Sequence, residues 1–178
     1  MKQAFLIVAT LALSACGSLD IQRISGNPGT YLDPHGSVYV AVPAAPSSDY
    51  PQAGQYVASG LAAEFADNNI IVSIGEGPAT TEENSGAARA AHAKYLVVPY
   101  VTNWDHSATQ WTTNPSTMAV RVTIYDAQTG EKVREDNLVS QSRRISFFGT
   151  DPKDLFEDAV EDYMEELYAP TPSPSQQK

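Results

Sequence analysis

The sequence predicts a single α/β domain, built in two or three layers around a mixed sheet of about five strands in the order β-α-β-α-β-β-β-α. Three observations support this fold class. Short apolar runs alternate with stretches of helical periodicity in the first half of the chain. Strict alternation of apolar and polar residues then indicates a hairpin, and an amphipathic helix follows it. The chain has 178 residues, of which 42% are hydrophobic, and this composition suits one domain.

The first 15 residues have the features of a secretory signal peptide. Lys2 supplies a positive charge, Ala4 to Ala12 form a short apolar run, and small residues precede Cys16. The apolar run is about half of the roughly 20 residues that a membrane-spanning helix needs. We therefore expect residues 1–15 to be cleaved rather than to remain as a transmembrane helix.

The composition of both flanking segments differs from that of a folded domain. Residues 16–36 contain Gly and Pro without sustained periodicity, which predicts a flexible tether that starts at Cys16. Residues 169–178 (APTPSPSQQK) have three Pro and no large apolar side chain, and this composition predicts a disordered tail. The α/β domain is therefore expected over residues 37–168.

The first strand and helix come directly after the tether. Residues 37–42 (SVYVAV) are apolar on both sides of the pleat, as in a strand that is buried on both faces. Val57, Leu61 and Phe65 then form one row of a helix over residues 52–68. Residues 69–74 (NIIVSI) are a second apolar strand, and connections of this length favour parallel pairing.

A second helix and a third strand complete the parallel half. Residues 75–78 (GEGP) are interpreted as a plain turn, because they lack the spacing of a phosphate-binding loop. Thr80 and Glu83 have the spacing of a capping box, which starts an Ala-rich helix that runs to about residue 93. Residues 94–104 form the third strand, where Pro99 predicts a bulge or an exposed edge.

The second half of the domain is predicted to be a hairpin and a helix. Residues 118–125 alternate strictly, residues 126–130 (DAQTG) supply turn chemistry, and residues 132–142 return as a more polar strand. Asp151 caps the last helix, whose apolar residues recur at three- and four-residue spacing as far as Leu167. This helix should pack closely on the sheet.

Charge and residue usage exclude several function classes. The net charge of −10 argues against nucleic acid as a partner, because binding to a phosphate backbone rests on clustered Lys and Arg. A single Cys excludes an intramolecular disulfide and a Cys-based zinc site. His35, His92 and His106 lie in different elements, so we expect no metal site, and no cofactor motif is present. We find no GxSxG motif or other assembled nucleophile, and we expect no enzymatic activity or catalytic residue.

An aromatic and basic group is the best candidate for a working surface. Trp104 and Trp111 flank a polar connection, and Arg143 and Arg144 precede the last helix. Trp and Arg concentrate binding energy at protein interfaces, so these four residues are candidates for binding a partner. The alternative is that both Trp side chains simply close the end of the hydrophobic core.

The residues around the cysteine carry a first resemblance. Leu13-Ser14-Ala15-Cys16 resembles the bacterial lipoprotein box, in which the cysteine becomes the first residue of the mature protein. The resemblance implies a thioether-linked diacylglycerol on Cys16 and a further acyl chain, such as palmitate, on its amine. Several acyl chains give a firm membrane anchor. Gly17, where a retention signal would have Asp, implies an outer-membrane location. We expect the domain to face the periplasm, and the cell surface is the alternative.

A second resemblance extends over residues 35 to 168. It rests on the lipoprotein box and on five further stretches: 37–43 (SVYVAVP), 93–99 (AKYLVVP), 104–111 (WDHSATQW), 125–130 (YDAQTG) and 142–144 (SRR). Together these are similar to the bacterial lipoproteins catalogued as domain of unknown function 4823. The family carries no known activity, so the expected role is a non-enzymatic envelope lipoprotein that acts through an unidentified protein partner. The alternative is a small-molecule-binding or degenerate hydrolase-like lipoprotein in the same compartment.

Overall fold

The computed structural model describes residues 18–26, 30–106, 114–142 and 150–168. Six strands form one sheet in these residues, and three helices pack on it. In chain order the elements are β1 (Ser18–Ser25), β2 (Val38–Val42), α1 (Ala53–Asp67), β3 (Val72–Pro78), α2 (Thr81–Ala90), β4 (Tyr95–Asp105), β5 (Thr117–Asp126), β6 (Lys132–Gln141) and α3 (Pro152–Tyr168). The predicted α/β class is confirmed, and the sheet has one strand more than the five expected.

The sheet is mixed, with the strand order β1-β6-β5-β4-β2-β3. Strand β2 pairs in parallel with β3 and with β4, as the β-α-β pattern predicts. Strands β4, β5, β6 and β1 pair antiparallel. The parallel and antiparallel halves of the sheet therefore meet at β4.

Helices cover both faces of the sheet at β2 and β4. Val38, Val40 and Val42 point to the face on which α1 and α3 pack, and they belong to the main core. Tyr39 and Ala41 point to the opposite face, where α2 contributes the buried Ala88. Because successive residues of a strand point to opposite faces, a continuous apolar run was needed to bury β2 on both sides.

Both predicted helix caps are present. The Thr80 side chain accepts a hydrogen bond from the backbone N–H of Glu83, and the Glu83 carboxylate accepts one from the backbone N–H of Thr80. The Asp151 carboxylate accepts a hydrogen bond from the backbone N–H of Lys153 at 2.9 Å. These contacts satisfy donors that the first turn of a helix leaves free. Helix α2 ends at Ala90, slightly earlier than expected, and His92 beyond it has a φ of 54°.

The prediction of a tether over residues 16–36 is wrong for residues 18–25. These residues form β1, which pairs antiparallel with β6 from Ser18 opposite Gln141 to Ser25 opposite Glu135. Leu19 and Ile21 alternate with polar residues and pack at the margin of the main core. A strand at the edge of a sheet needs only this weak alternation, which the Gly and Pro residues on its C-terminal side obscured.

The prediction of a plain turn at residues 75–78 is also wrong, because these residues continue β3 to Pro78. Strand β3 is an edge strand, and an edge tolerates Gly and Pro that a central strand excludes. Its side chains are half-buried or exposed rather than buried on both faces. Strand β4 pairs with β2 only over Tyr95–Val97, so Pro99 lies where β4 has one neighbouring strand. Pro99 is nevertheless buried, so the expectation of an exposed edge is wrong at this residue.

Candidate functional site

Four strand ends meet at one end of the sheet. Ser18 lies opposite Gln141, Gln141 opposite Thr117, and Thr117 opposite Asp105. We call this row the Ser18 end of the sheet. The connections from β4 to β5 and from β6 to α3 leave the sheet here.

Trp104 lies at the Ser18 end and is part of the core. Its side chain is only 7% exposed, and its ring packs against Phe156 of α3 with the ring centroids 6.3 Å apart. Tyr95, Val97 and Val101 of β4 face the main core, and the register shift between Val101 and Asn103 turns Trp104 to the same side. Trp104 therefore contributes to closing the core.

A cleft of about 520 Å³ opens beside Trp104. Its lining combines aromatic side chains with ionisable ones, and the main contributors are Tyr50, Tyr56, Trp104, His106, Asp151 and Lys153. This volume falls in the range of small-molecule sites, about 300–1,000 Å³. The cleft brings together Trp104, the residues before α1 and the cap of α3, which are far apart in the sequence.

Hydrogen bonds and charge fix the walls of the cleft. The Tyr50 hydroxyl accepts a hydrogen bond from the backbone N–H of His106 at 3.1 Å. The Lys153 ammonium lies 5.7 Å from the centroid of the Tyr56 ring and 3.4 Å from the Glu157 carboxylate. Nδ1 of His106 is buried and has no hydrogen-bond partner among the described residues. The aromatic faces of the lining are thus available to a bound molecule, whereas Nδ1 of His106 is closed from solvent.

The other candidate site residues cannot be placed. Cys16, Trp111, Arg143 and Arg144 lie outside the described residues. Their assignment as lipid-attachment and partner-binding residues stays a prediction.

Sequence reasoning missed a buried ionic cluster under α3, which we define as Arg23, Arg134, Asp136, Tyr163 and Glu166. Nε of Arg134 donates a short hydrogen bond to the Asp136 carboxylate, and the Tyr163 hydroxyl donates to the same oxygen at 2.9 Å. Arg134 and Asp136 are 1% and 0% exposed. The other side of the guanidinium reaches Glu166, where both the backbone carbonyl and the carboxylate accept hydrogen bonds at 3.2 Å.

The ionic cluster connects three elements of the fold. Arg134 and Asp136 come from β6, Tyr163 and Glu166 from α3, and Arg23 from β1 places its guanidinium 3.5 Å from Asp136. Burial, together with the neighbouring Asp136 carboxylate, raises the pKa of Tyr163 well above its usual range, so Tyr163 remains a neutral donor. Because the centre of the cluster is closed from solvent, removal of one charged partner would leave an uncompensated buried charge.

The histidines do not converge on a metal site. His35 and His92 are exposed and lie away from the cleft that contains His106. Within residues 18–26, 30–106, 114–142 and 150–168, no group of three or more His, Cys, Asp or Glu side chains is arranged to hold a metal ion. None of the helices in this part of the chain has the length and apolar character needed to cross a membrane.

Comparison with solved structures identifies proteins of similar fold. The chain superimposes on PelC from Paraburkholderia phytofirmans, described as a dodecamer, with a TM-score of 0.66, 16% identity, and coverage of 86% of this chain and 100% of PelC. A point variant of the same dodecamer gives a TM-score of 0.65 and 18% identity, with coverage of 84% of this chain and 99% of that one. XCC0632 from Xanthomonas campestris gives a TM-score of 0.50 and 14% identity, with coverage of 81% of this chain and 87% of that one.

Comparison of the sequence with family models identifies one family. No curated protein matches the sequence. The model described as a domain of unknown function, DUF4823, matches residues 30–167. This range runs from before β2 to the penultimate residue of α3, and so includes every described element except β1. The chain therefore belongs to the family catalogued as domain of unknown function 4823, as the resemblance at the lipoprotein box, the strands and the Trp segment implied.

Proposed function

We propose that this protein is a lipid-anchored protein of the bacterial envelope that acts through protein contacts, first with further copies of itself, and catalyses no reaction. The anchor is supported by Leu13-Ser14-Ala15-Cys16 after a short apolar run. Gly17 supports the outer membrane, with the domain in the periplasm. The buried ionic cluster supports a structural rather than a catalytic use of these charges, because Arg134 and Asp136 are closed from solvent.

The observation that carries the contact role is the free edge of the sheet at β3. Among the described strands, β3 has a neighbour on one side only. Ile71, immediately before β3, is 78% exposed, and Ile74 within it is 41% exposed. Exposed apolar residues along an open edge favour pairing with another strand, because the edge presents unpaired backbone N–H and C=O groups.

A second copy of the chain is the partner that the comparisons favour. PelC, which shares the fold over its whole length, was solved as a dodecamer. Strand β1 is the opposite edge of the sheet that the described residues form, so one copy offers two different edges to its neighbours. Contacts between two different surfaces produce rings or filaments rather than isolated dimers.

The anchor is tested by replacing Cys16. We expect the Cys16→Ser protein to move from the membrane fraction to the soluble fraction of cell extracts and to incorporate no labelled palmitate, because the thiol is the acceptor of the lipid. The matched control is Ser14→Ala, which keeps the thiol and should remain in the membrane fraction. Palmitate labelling of the Cys16→Ser protein would contradict the anchor.

The self-contact is tested with a photo-crosslinking amino acid in the full-length protein in intact cells. Placed at Ser73 of β3, it should give products at multiples of the monomer mass, because this exposed position lies on the free edge. Placed at the exposed Glu82 of α2, it should give few. The variant Ile71→Asp should reduce the Ser73 products several-fold. Equal yields at the two positions, or products of another mass only, would overturn self-association.

The cleft favours a second candidate function, binding of a small molecule. Its volume of about 520 Å³ and its mixed lining meet the criterion that separates a ligand site from a flat contact surface. This candidate uses a part of the molecule away from β3, so the two functions are compatible.

A further inference from the structure

We infer that the Ser18 end of the sheet lies directly against the membrane surface, so that the lipid bilayer is the partner of this face. The inference rests on the proposed lipid anchor at Cys16 and adds the orientation and distance of the domain to it.

The length of chain between the anchor and the sheet sets the distance. Only Gly17 separates Cys16 from Ser18, the first residue of β1. Two extended residues span about 7 Å at roughly 3.3–3.6 Å per residue. A tether of about 20 residues would have allowed a distance of roughly 60–70 Å between the bilayer and the domain. The start of β1 is therefore held at the level of the lipid headgroups.

Strand β1 is held to the rest of the domain by backbone pairing and by ion pairs. Its backbone pairs with β6 from Ser18 to Ser25. Arg23 adds ion pairs to Asp136 at 3.5 Å and to Glu166 at 3.9 Å. Because Asp136 is fully buried, its pairing with Arg23 is little screened by water or salt. The position of β1 at the membrane thus fixes the position of the whole sheet.

Charge selects between the two ways in which the sheet can meet the bilayer. If the β1 edge lay flat on the membrane, the groove between β1 and α3 would face the headgroups. This groove is lined by Asp20, Asp162, Glu165 and Glu166. Anionic headgroups repel carboxylates, and removing carboxylates from water is costly. Standing the strands upright on the Ser18 end keeps these four side chains in water and turns one carboxylate of the end row, Asp105, toward the headgroups.

The upright orientation separates the two ends of the sheet by a measurable height. Strands β5 and β6 have 10 residues each. At about 3.3 Å per residue, the turn between them lies roughly 30 Å farther from the bilayer than the Ser18 end. The cleft beside Trp104 belongs to the lower end, close to the headgroups.

Single-cysteine labelling tests the orientation on the lipidated full-length protein. The thiol of Cys16 is used in the thioether, so an added cysteine is the only free thiol. Asp105→Cys reports on the Ser18 end, and Glu131→Cys is the matched control at the opposite end; both positions are exposed. Each variant carries a bimane label and is reconstituted in phosphatidylethanolamine–phosphatidylglycerol vesicles that contain headgroup-nitroxide lipid.

We expect the nitroxide lipid to quench the Asp105→Cys label several-fold more strongly than the Glu131→Cys label. Inserting a flexible Gly and Ser linker, as long as the tether considered above, between Gly17 and Ser18 should lower the quenching at position 105 to that at position 131. Equal quenching at both positions with the native linker, or stronger quenching at position 131, would overturn the orientation.

Vesicle flotation and palmitate incorporation, measured on the same samples, separate the two proposals. Protein that floats with palmitate but shows no difference in quenching retains the anchor and overturns only the orientation. Protein that neither floats nor incorporates palmitate overturns both.

Discussion

Replacing Asp136 with alanine will lower the free energy of unfolding by about 3–5 kcal/mol, because the buried guanidinium of Arg134 loses its buried carboxylate partner and keeps only the half-exposed Glu166. Asp136 also accepts the hydrogen bond of the Tyr163 hydroxyl and pairs with Arg23, so one substitution weakens the contacts of β6 with α3 and with β1. Denaturation in urea, followed by far-UV circular dichroism, measures the loss.

Two controls separate the unpaired charge from other effects of this substitution. The double variant Arg134→Met, Asp136→Leu removes both charges and roughly preserves volume, and it should be more stable than Asp136→Ala. Glu157→Ala removes the ion pair of Glu157 with Lys153, whose side chains are 57% and 47% exposed, and should cost less than about 1 kcal/mol. A double variant no more stable than the single one would show that the charge is not the cause.

Replacing Phe156 with alanine will also lower the free energy of unfolding by a large amount, about 3–5 kcal/mol, because it opens a cavity between α3, α1 and Trp104. Phe156 is 1% exposed, and its ring packs against the Trp104 ring. The edge of the Phe156 ring also occupies the position next to Gly60 where a larger residue would have its side chain. The same denaturation experiment measures the effect, and Tyr56→Ala, which truncates a 43% exposed ring, is the control with a small expected cost.

Gly60 supplies an independent check on the packing of Phe156. A Cβ atom at residue 60 would lie 2.8 Å from Cε1 of Phe156, so Gly60→Ala should cost about 1–3 kcal/mol through overpacking. In a Phe156→Leu background the cost should shrink, because the shorter side chain does not reach that space. An unchanged cost would show that the two residues do not share this contact.

The elements with strong periodicity were predictable from the sequence, and the edges of the sheet were not. The continuous apolar run of β2 and the helical row of α3 each leave one arrangement that buries their side chains. An edge strand buries little, so β1 and the second half of β3 carry only weak patterns. Gly75 and Pro78 are turn residues by composition, and only the pairing with β2 makes this segment a strand.

The ionic cluster was missed because alternation in β6 is ambiguous. One face of the strand has Arg134, Asp136, Leu138 and Ser140, and the other has Val133, Glu135, Asn137 and Val139. Hydrophobicity favours burying the face with the two valines, whereas the structure buries the first face. The reason lies in tertiary contacts, since Tyr163 and Glu166 of α3 and Arg23 of β1 satisfy those charges. Nothing local to β6 indicates these partners.

For the candidate site, the sequence identified Trp104 but not its surroundings. Its place at a strand end was predictable, whereas the approach of Tyr50 and Lys153 depends on how α1 and α3 dock on the sheet. Trp104 packs against Phe156 in the core and also lines the cleft, and its role in binding a partner stays a prediction.

The pairing of β1 with β6 also sets an order of events during biogenesis. Ser18 lies opposite Gln141, so the first strand of the sheet waits for a partner that is synthesised late in the chain. Until then β1 has no edge to join, and closing so long a loop is slow. Strand β1 therefore joins the sheet only after residues 135–141 have been synthesised. Under the proposed anchor, processing at Cys16 precedes this pairing, and the pairing then holds the start of β1 beside the bilayer.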